Sequence, residues 1–245
     1  GVRLLTVVGA GGMGKTRLAL AVGQAILAAP SSDQPKSPIS NLNYPDGVFY
    51  VALASLSDPD ALALTLVSTL GLNIQGEPQH AVIQALRNKQ LLLILDNFEH
   101  LLAAAGFVVD LLQAAPALQI LVTSRERLNV RGEHLYPIPT LAYDPGQIDI
   151  EAVAALSSVQ LFLQCAQRTQ ADFVLDAENM ADVLRICHAV QGMPLGLELA
   201  AGWVGTLPIT AIADAIAQSY AFLAADWRDA PARQRSMRAV FEWSW

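Results

Sequence analysis

The sequence predicts an α/β fold: a parallel five-stranded sheet covered by helices on both faces, followed by a small all-helical domain. Three observations predict it. Short runs rich in Leu, Ile and Val lack the polar alternation of a half-exposed sheet, as expected for strands buried on both faces. In the first half, stretches with helical spacing separate those runs. After about Pro145 the strand signals stop and only helical spacing remains.

In chain order, residues 4–8 read as the first strand and 15–28 as the first helix. Residues 48–52 form the second strand, with helices over about 59–70 and 79–88. Residues 91–95 are a continuous apolar strand, 101–114 a helix, 120–123 a fourth strand and 134–137 a fifth. Residues 30–46 carry Pro30, Pro35, Pro38 and Pro45 among serines, and read as a surface insertion. Helices are expected over 157–171, 177–190, 194–204 and 209–223. Asp176 and Thr210 are the expected N-caps, and Pro194 suits a first helical turn.

Bulk properties narrow the function class. At about 150 residues per domain, 245 residues make one to two domains. A hydrophobic fraction of 53% excludes a disordered chain. The net charge of −7, without a dense Lys/Arg run, argues against direct binding of a nucleic-acid backbone. Cys165 and Cys187 fit no metal or redox spacing and read as buried, reduced thiols. No apolar run approaches the ~18 residues that span a bilayer, and the first residues do not read as a signal peptide. A cytoplasmic location is therefore expected. A strand at the very start and the apolar end 241–245 read as the ends of a fragment.

The strongest chemical signal is Gly9-Ala10-Gly11-Gly12-Met13-Gly14-Lys15-Thr16, which matches G-x-x-x-x-G-K-[ST] between a strand and a helix. Gly9, Gly11, Gly12 and Gly14 let a loop wrap closely around phosphates, with Met13 carried in the same cradle. The helix that follows offers its N-terminus, with Arg17 in its first turn, to the same anion. Lys15 supplies a point charge to the β- and γ-phosphates, and the Thr16 hydroxyl can hold Mg²⁺. The fold expected is thus a P-loop NTPase three-layer sandwich, with nucleotide phosphates and Mg²⁺ as the expected ligands.

The apolar run Leu91–Leu95 ends in Asp96, a carboxylate at the sheet edge where ligands of open α/β sheets bind. Asp96 is the second expected Mg²⁺ ligand, through a water. Many P-loop ATPases place a catalytic acid directly after this Asp, but here Asn97 follows. Glu99 is the nearest acid, read either as the water-activating group or as a solvated first-turn Glu favoured by the helix dipole. Slow hydrolysis is expected. A third strand end, Thr123-Ser124-Arg125, brings a cation to the same edge, where Arg125 can sense the γ-phosphate. The alternative is an Arg solvated in a loop, as Arg127 and Arg131 are expected to be.

Together these residues resemble the STAND class of signal-transduction ATPases, in particular its NB-ARC branch and the bacterial multidomain regulators within it. Gly9–Thr16 resembles the Walker A motif of that class, Leu92–Asp96 its Walker B, and Thr123–Arg125 its sensor-1 strand end. Gly192-Met193-Pro194-Leu195 resembles the G-L-P-L motif that opens a helix of the small helical domain, and implies that Pro194 packs near adenine. The stretch Arg233–Arg238 and Trp243/Trp245 resemble the start of the winged-helix domain. The resemblance implies three parts: a P-loop nucleotide-binding domain over 1–145, a helical domain over 146–230, and the start of a truncated winged-helix domain over 231–245. A Gly-Arg segment usual before the first strand is missing, which leaves base recognition incomplete. The histidine-bearing part of the winged helix, which contacts the ADP β-phosphate, is also absent.

The function implied is an ATP/ADP switch whose nucleotide state controls opening and homo-oligomerisation within a larger regulator. Its partners would be C-terminal sensor and effector domains of the parent protein, with no membrane and no direct nucleic-acid contact. Two alternatives stay open: a P-loop small-molecule kinase, with Arg125, Glu126, Arg127 and Arg131 as a lid, and a nucleotide-binding interaction module that does not hydrolyse. From sequence alone, Glu99→Gln is expected to lower turnover and leave ATP affinity intact. Unchanged phosphate release would remove Glu99 from the mechanism.

Overall fold

The structure, a computed structural model, describes residues 1–28, 43–73, 76–219, 222–224 and 236–237. Most of the proposed insertion over 30–46, and all of 231–245 except Ser236 and Met237, lie outside the described residues.

The chain forms two compact units. One comprises Gly1–Gly9 and Lys15–Ile138; the other comprises Ala10–Gly14 and Pro139–Trp245. The first unit is built on five parallel strands: β1 (Leu4–Val8), β2 (Val48–Ala52), β3 (Leu92–Asp96), β4 (Gln119–Ser124) and β5 (Glu133–Pro137). Their order is β2-β3-β4-β1-β5. In register, Val8 stands beside Ser124 and Pro137, and Ala52 beside Asp96.

Strand side chains alternate between faces, and both faces here are apolar. Leu93 and Leu95 of β3, with Ile120 and Val122 of β4, enter a core with α2 (Ala61–Thr69), α3 (Pro78–Leu86) and α4 (Ala105–Ala114). Leu92 and Ile94, with Val7 and Leu121, pack under Ala19 and Ile26 of α1 (Lys15–Ala28). The result is helix, sheet, helix: the P-loop NTPase α/β fold expected. The run 101–114 is helical only from Ala105. Before it, residues Phe98–His100 and Leu102–Ala104 form short 3₁₀ turns, because Leu101 adopts φ −113° and ψ 20°.

The second unit is helical: α5 (Ile150–Ala155), α6 (Ser157–Thr169), α7 (Met180–Ala189), α8 (Pro194–Ala201) and α9 (Ile209–Gln218). Its core holds Phe162, Ile186, Cys187, Leu197 and Ile212. Helix α5 is too short for its period to show in sequence; its signal is Asp149, whose side chain accepts from the Ala152 N–H at 2.9 Å. The Asp176 side chain accepts from the Glu178 and Asn179 N–H groups just ahead of α7, but the N-cap of α7 is Asn179, not Asp176 as expected. Thr210 is not a cap, contrary to expectation. Pro208 holds that position, and the Thr210 hydroxyl donates to Asp182 at 2.6 Å. Pro194 occupies the first turn of α8 as expected. Among the described residues Cys165 and Cys187 form no disulfide; both are buried, and burial pushes the Cys187 thiol up to about 11. Among the described residues, no helix is long and apolar enough to cross a membrane.

Gly192 is fixed by both conformation and space. Its φ is +65°, and a Cβ there would lie 2.2 Å from the Leu141 carbonyl oxygen. Gly192→Ala is expected to cost about 3 kcal/mol, from left-handed strain plus displaced backbone, and to lower the melting temperature by roughly 6–12 °C. Gly132→Ala, at φ +83° with open space around the new methyl, should cost only about 1 kcal/mol. Equal melting shifts for the two would show that the Leu141 contact yields freely.

Candidate nucleotide-binding site

The alternation that builds the core also builds the site. On β3, Leu92, Ile94 and Asp96 share the face that α1 covers, as do Val48 and Tyr50 on β2 and Leu121 and Thr123 on β4. The carboxylate of Asp96 therefore emerges toward the first turn of α1, where Thr16 lies. The Thr16 hydroxyl donates to Asp96, 2.9 Å from Oδ1 and 3.1 Å from Oδ2. Thr123 donates to Oδ1 at 2.5 Å, and the Tyr50 hydroxyl to Oδ2 at 2.9 Å. Asp96 is only 4% exposed, so these hydroxyls replace the water that its charge loses.

The phosphate loop has the backbone the motif requires. Gly12 and Gly14 have φ of +77° and +85°, values that side-chain-bearing residues rarely adopt. The Lys15 ammonium donates to the Gly9 carbonyl at 2.8 Å, which holds it back over the start of the loop. Gly11 and Met13 are buried, and Arg17 is exposed on α1. Within the second unit, the Leu195 N–H donates to the Gly12 carbonyl at 3.2 Å. A Cβ on Gly12 would lie 2.9 Å from the Leu195 Cβ. Pro194, one residue earlier, opens α8.

Past β3, the turn that carries Glu99 is pinned at several points. Asn97 takes the left-handed conformation, φ 66° and ψ 54°. Its N–H donates to Thr123 Oγ1 at 3.0 Å, and its amide donates to Glu99 Oε1 at 3.2 Å. Phe98 is fully buried, and the His100 Nε2 lies 3.0 Å from the Leu53 carbonyl. Glu99 does lie in the first turn of the short 3₁₀ segment Phe98–His100, but it is not solvated. Its Oε1 lies 3.2 Å from Arg125 Nε, with side-chain exposures of 17% for Glu99 and 18% for Arg125. The solvated-loop reading of Arg125 fails likewise, whereas Arg127 and Arg131 are exposed as expected. Sequence reasoning singled out Asp96, Glu99 and Arg125 separately. It missed Tyr50, and it missed that Glu99 and Arg125 form a pair.

The donor set fits Mg²⁺. Thr16 Oγ1 and Asp96 Oδ1 are hard oxygen donors brought together by a hydrogen bond of 2.9 Å, the donor chemistry that would suit Mg²⁺, directly or through water. Lys15, Thr16 and Asp96 are the residue types that the P-loop motif calls for.

Comparison with known proteins agrees. A family model described as "AAA domain" matches residues 1–135, more than half of the chain. The chain belongs to this family. As an AAA domain it is a P-loop ATPase-type protein, and the family implies nucleotide binding, usually with Mg²⁺. That assignment is coarser than the NB-ARC branch suggested by resemblance. A Mycobacterium tuberculosis protein, provisionally named an HTH-type transcriptional regulator, is 36% identical over 99% of this chain. The chain spans 25% of that relative's length. Among solved structures, the ORC2 protein of Aeropyrum pernix, determined as ADPNP and ADP complexes, covers 88% of this chain. The match takes in 61% of ORC2, with a TM-score of 0.51 and 18% identity, so it shows shared fold alone. A STAND protein with a tetratricopeptide repeat sensor from Pyrococcus horikoshii covers 88% of this AAA-domain chain, and the match takes in 30% of that protein. Its TM-score is 0.44 and its identity 15%, too distant to carry weight.

The Asp96 cluster makes two substitutions unequal. Tyr50→Phe removes one donor to a charged acceptor and is expected to cost about 1.5 kcal/mol. Thr123→Val removes a donor to the same carboxylate and also leaves the Asn97 N–H without its acceptor, for about 3 kcal/mol. Chemical denaturation of both variants checks the order; a Tyr50→Phe cost equal to or above that of Thr123→Val would contradict it.

Proposed function

We propose that this chain is the nucleotide-controlled switch of a larger cytoplasmic regulator of the STAND class that its sequence resembles. ADP holds it closed; exchange for ATP opens it and permits self-association. The observation that carries the nucleotide reading is the hydrogen bond from Thr16 to Asp96, which brings the last residue of the phosphate loop and the β3 carboxylate to one point. The adenine nucleotides seen with the ORC2 protein support ATP and ADP as the ligands. The relative named as a transcriptional regulator supports a regulatory setting.

In this reading each residue has a task. The loop 9–14 wraps the phosphates, Lys15 leaves the Gly9 carbonyl to neutralise the β- and γ-oxygens, and Thr16 and Asp96 hold Mg²⁺. When bound, the ion offsets charge on the phosphate oxygens. Arg125 registers the γ-phosphate, and Pro194 packs near the base. Grouping of Ala10–Gly14 with the helical residues supports α8 as the element that reports nucleotide state. Hydrolysis, ATP with water giving ADP and phosphate, is slow because Glu99 is tied to Arg125 and Asn97. The ion pair of Arg125 with Glu99 supports the switch reading over an exposed kinase lid.

A second reading, a module that binds nucleotide without turning it over, is favoured by Asn97, an amide where many related ATPases carry an acid. The deciding measurement is the nucleotide that copurifies with the protein, followed by its phosphate-release rate. Lys15→Ala is expected to weaken nucleotide binding about 100-fold, the loss of roughly 3 kcal/mol of charge-assisted contact. A variant that retains bound nucleotide would reject the site assignment. Slow but measurable release that needs Lys15 supports the switch; stoichiometric ATP without release supports the module.

A further inference from the structure

We propose that Glu99 sets this site's preference between ATP and ADP by competing with the γ-phosphate for Arg125. The inference rests on the nucleotide reading above and deepens it.

The pair is built to compete. Arg125 Nε is 3.2 Å from Glu99 Oε1, and both side chains are more than four-fifths buried, so solvent and salt screen their attraction little. Glu99 is the fixed partner. Glu99 sits on the turn pinned by the Asn97 N–H to Thr123, by buried Phe98, and by the His100 contact with Leu53. Arg125 lies just beyond the end of β4, on a long side chain. If one partner moves, it is Arg125.

Leaving has a cost. Glu99 Oε2 is buried and has no hydrogen-bond partner among the described residues, so within them the carboxylate is compensated only through Oε1. If Arg125 departs, Oε1 keeps only the Asn97 amide at 3.2 Å among the bonds the structure shows, and the charge is left more exposed to its apolar surroundings. Arg125 also has a second destination. Register places Ser124, the residue before it, beside Val8, the residue before Gly9. The β4 end therefore adjoins the start of the phosphate loop.

A γ-phosphate is a stronger, bidentate partner for a guanidinium than a carboxylate already shared with an amide. ADP lacks that phosphate and leaves the ion pair intact. ATP must break it. Glu99 thus taxes ATP alone and biases the resting protein toward ADP. The sequence by itself gives no reason for Glu99→Gln to alter ATP affinity; the ion pair does.

The test is a double-mutant cycle on the 245-residue chain, titrated with ADP and with a non-hydrolysable ATP analogue, each with Mg²⁺. Glu99→Gln should raise the affinity ratio of analogue to ADP about tenfold, or about 1.4 kcal/mol, with ADP affinity within about twofold of wild type. Arg125→Ala should lower the ratio, and adding Glu99→Gln to it should then change nothing. Arg125→Gln replaces Arg125→Ala if the latter melts early. An unchanged ratio in Glu99→Gln overturns the inference. So does an equal gain in the Arg125→Ala background, which would mean simple repulsion between Glu99 and the phosphate. A wild-type chain that binds neither nucleotide overturns the nucleotide reading itself, and is told apart by its flat titrations.

Discussion

A carboxylate buried at the end of a sheet strand is costly unless every lost water is replaced, and Asp96 meets that condition through hydroxyls from three different elements. Tyr50 reaches it from β2, Thr123 from β4 and Thr16 from the first turn of α1. The arrangement ties strand order to loop position. If β2 and β4 did not flank β3, or if α1 started one residue later, at least one donor would be lost. The constraint also travels onward. Thr123 accepts from the Asn97 backbone while donating to Asp96, so the turn carrying Glu99 is fixed by the same carboxylate.

This gives a structural reason for the amide at position 97. Asparagine tolerates the left-handed conformation better than most residues, and its amide can donate to Glu99 where a carboxylate could not. An aspartate at the same place would set a second negative charge within hydrogen-bonding reach of Glu99. What looks in the sequence like a missing catalytic acid is, in the fold, a support for the acid that remains.

Much of the first unit was legible because its signals are local. Continuous apolar runs marked the strands, the glycine spacing marked the loop, and an Asp at a strand end gained meaning from the loop upstream. What escaped was non-local. Tyr50 in a strand reads as ordinary core, and only the β2–β3 pairing and shared face show its hydroxyl meeting Asp96. Glu99 and Arg125 lie on different strand ends, so their attraction depends on β3 and β4 being neighbours. In the helical unit, Thr210 failed as a cap because Pro208 already starts α9, leaving the hydroxyl for Asp182. The run 101–114 lost its first turns because Leu101 leaves helical geometry, which periodicity alone does not register.

The five residues Ala10–Gly14 group with the helical unit, although both flanks of that segment belong to the sheet unit. The boundary between the two units therefore crosses the chain three times, and two of those crossings fall inside the phosphate loop. No single cut in the gene separates a complete sheet unit from a complete helical one. Modules joined by a simple linker are readily exchanged by recombination, and this division of the chain offers no such linker. This pair of units is therefore expected to be inherited as one piece.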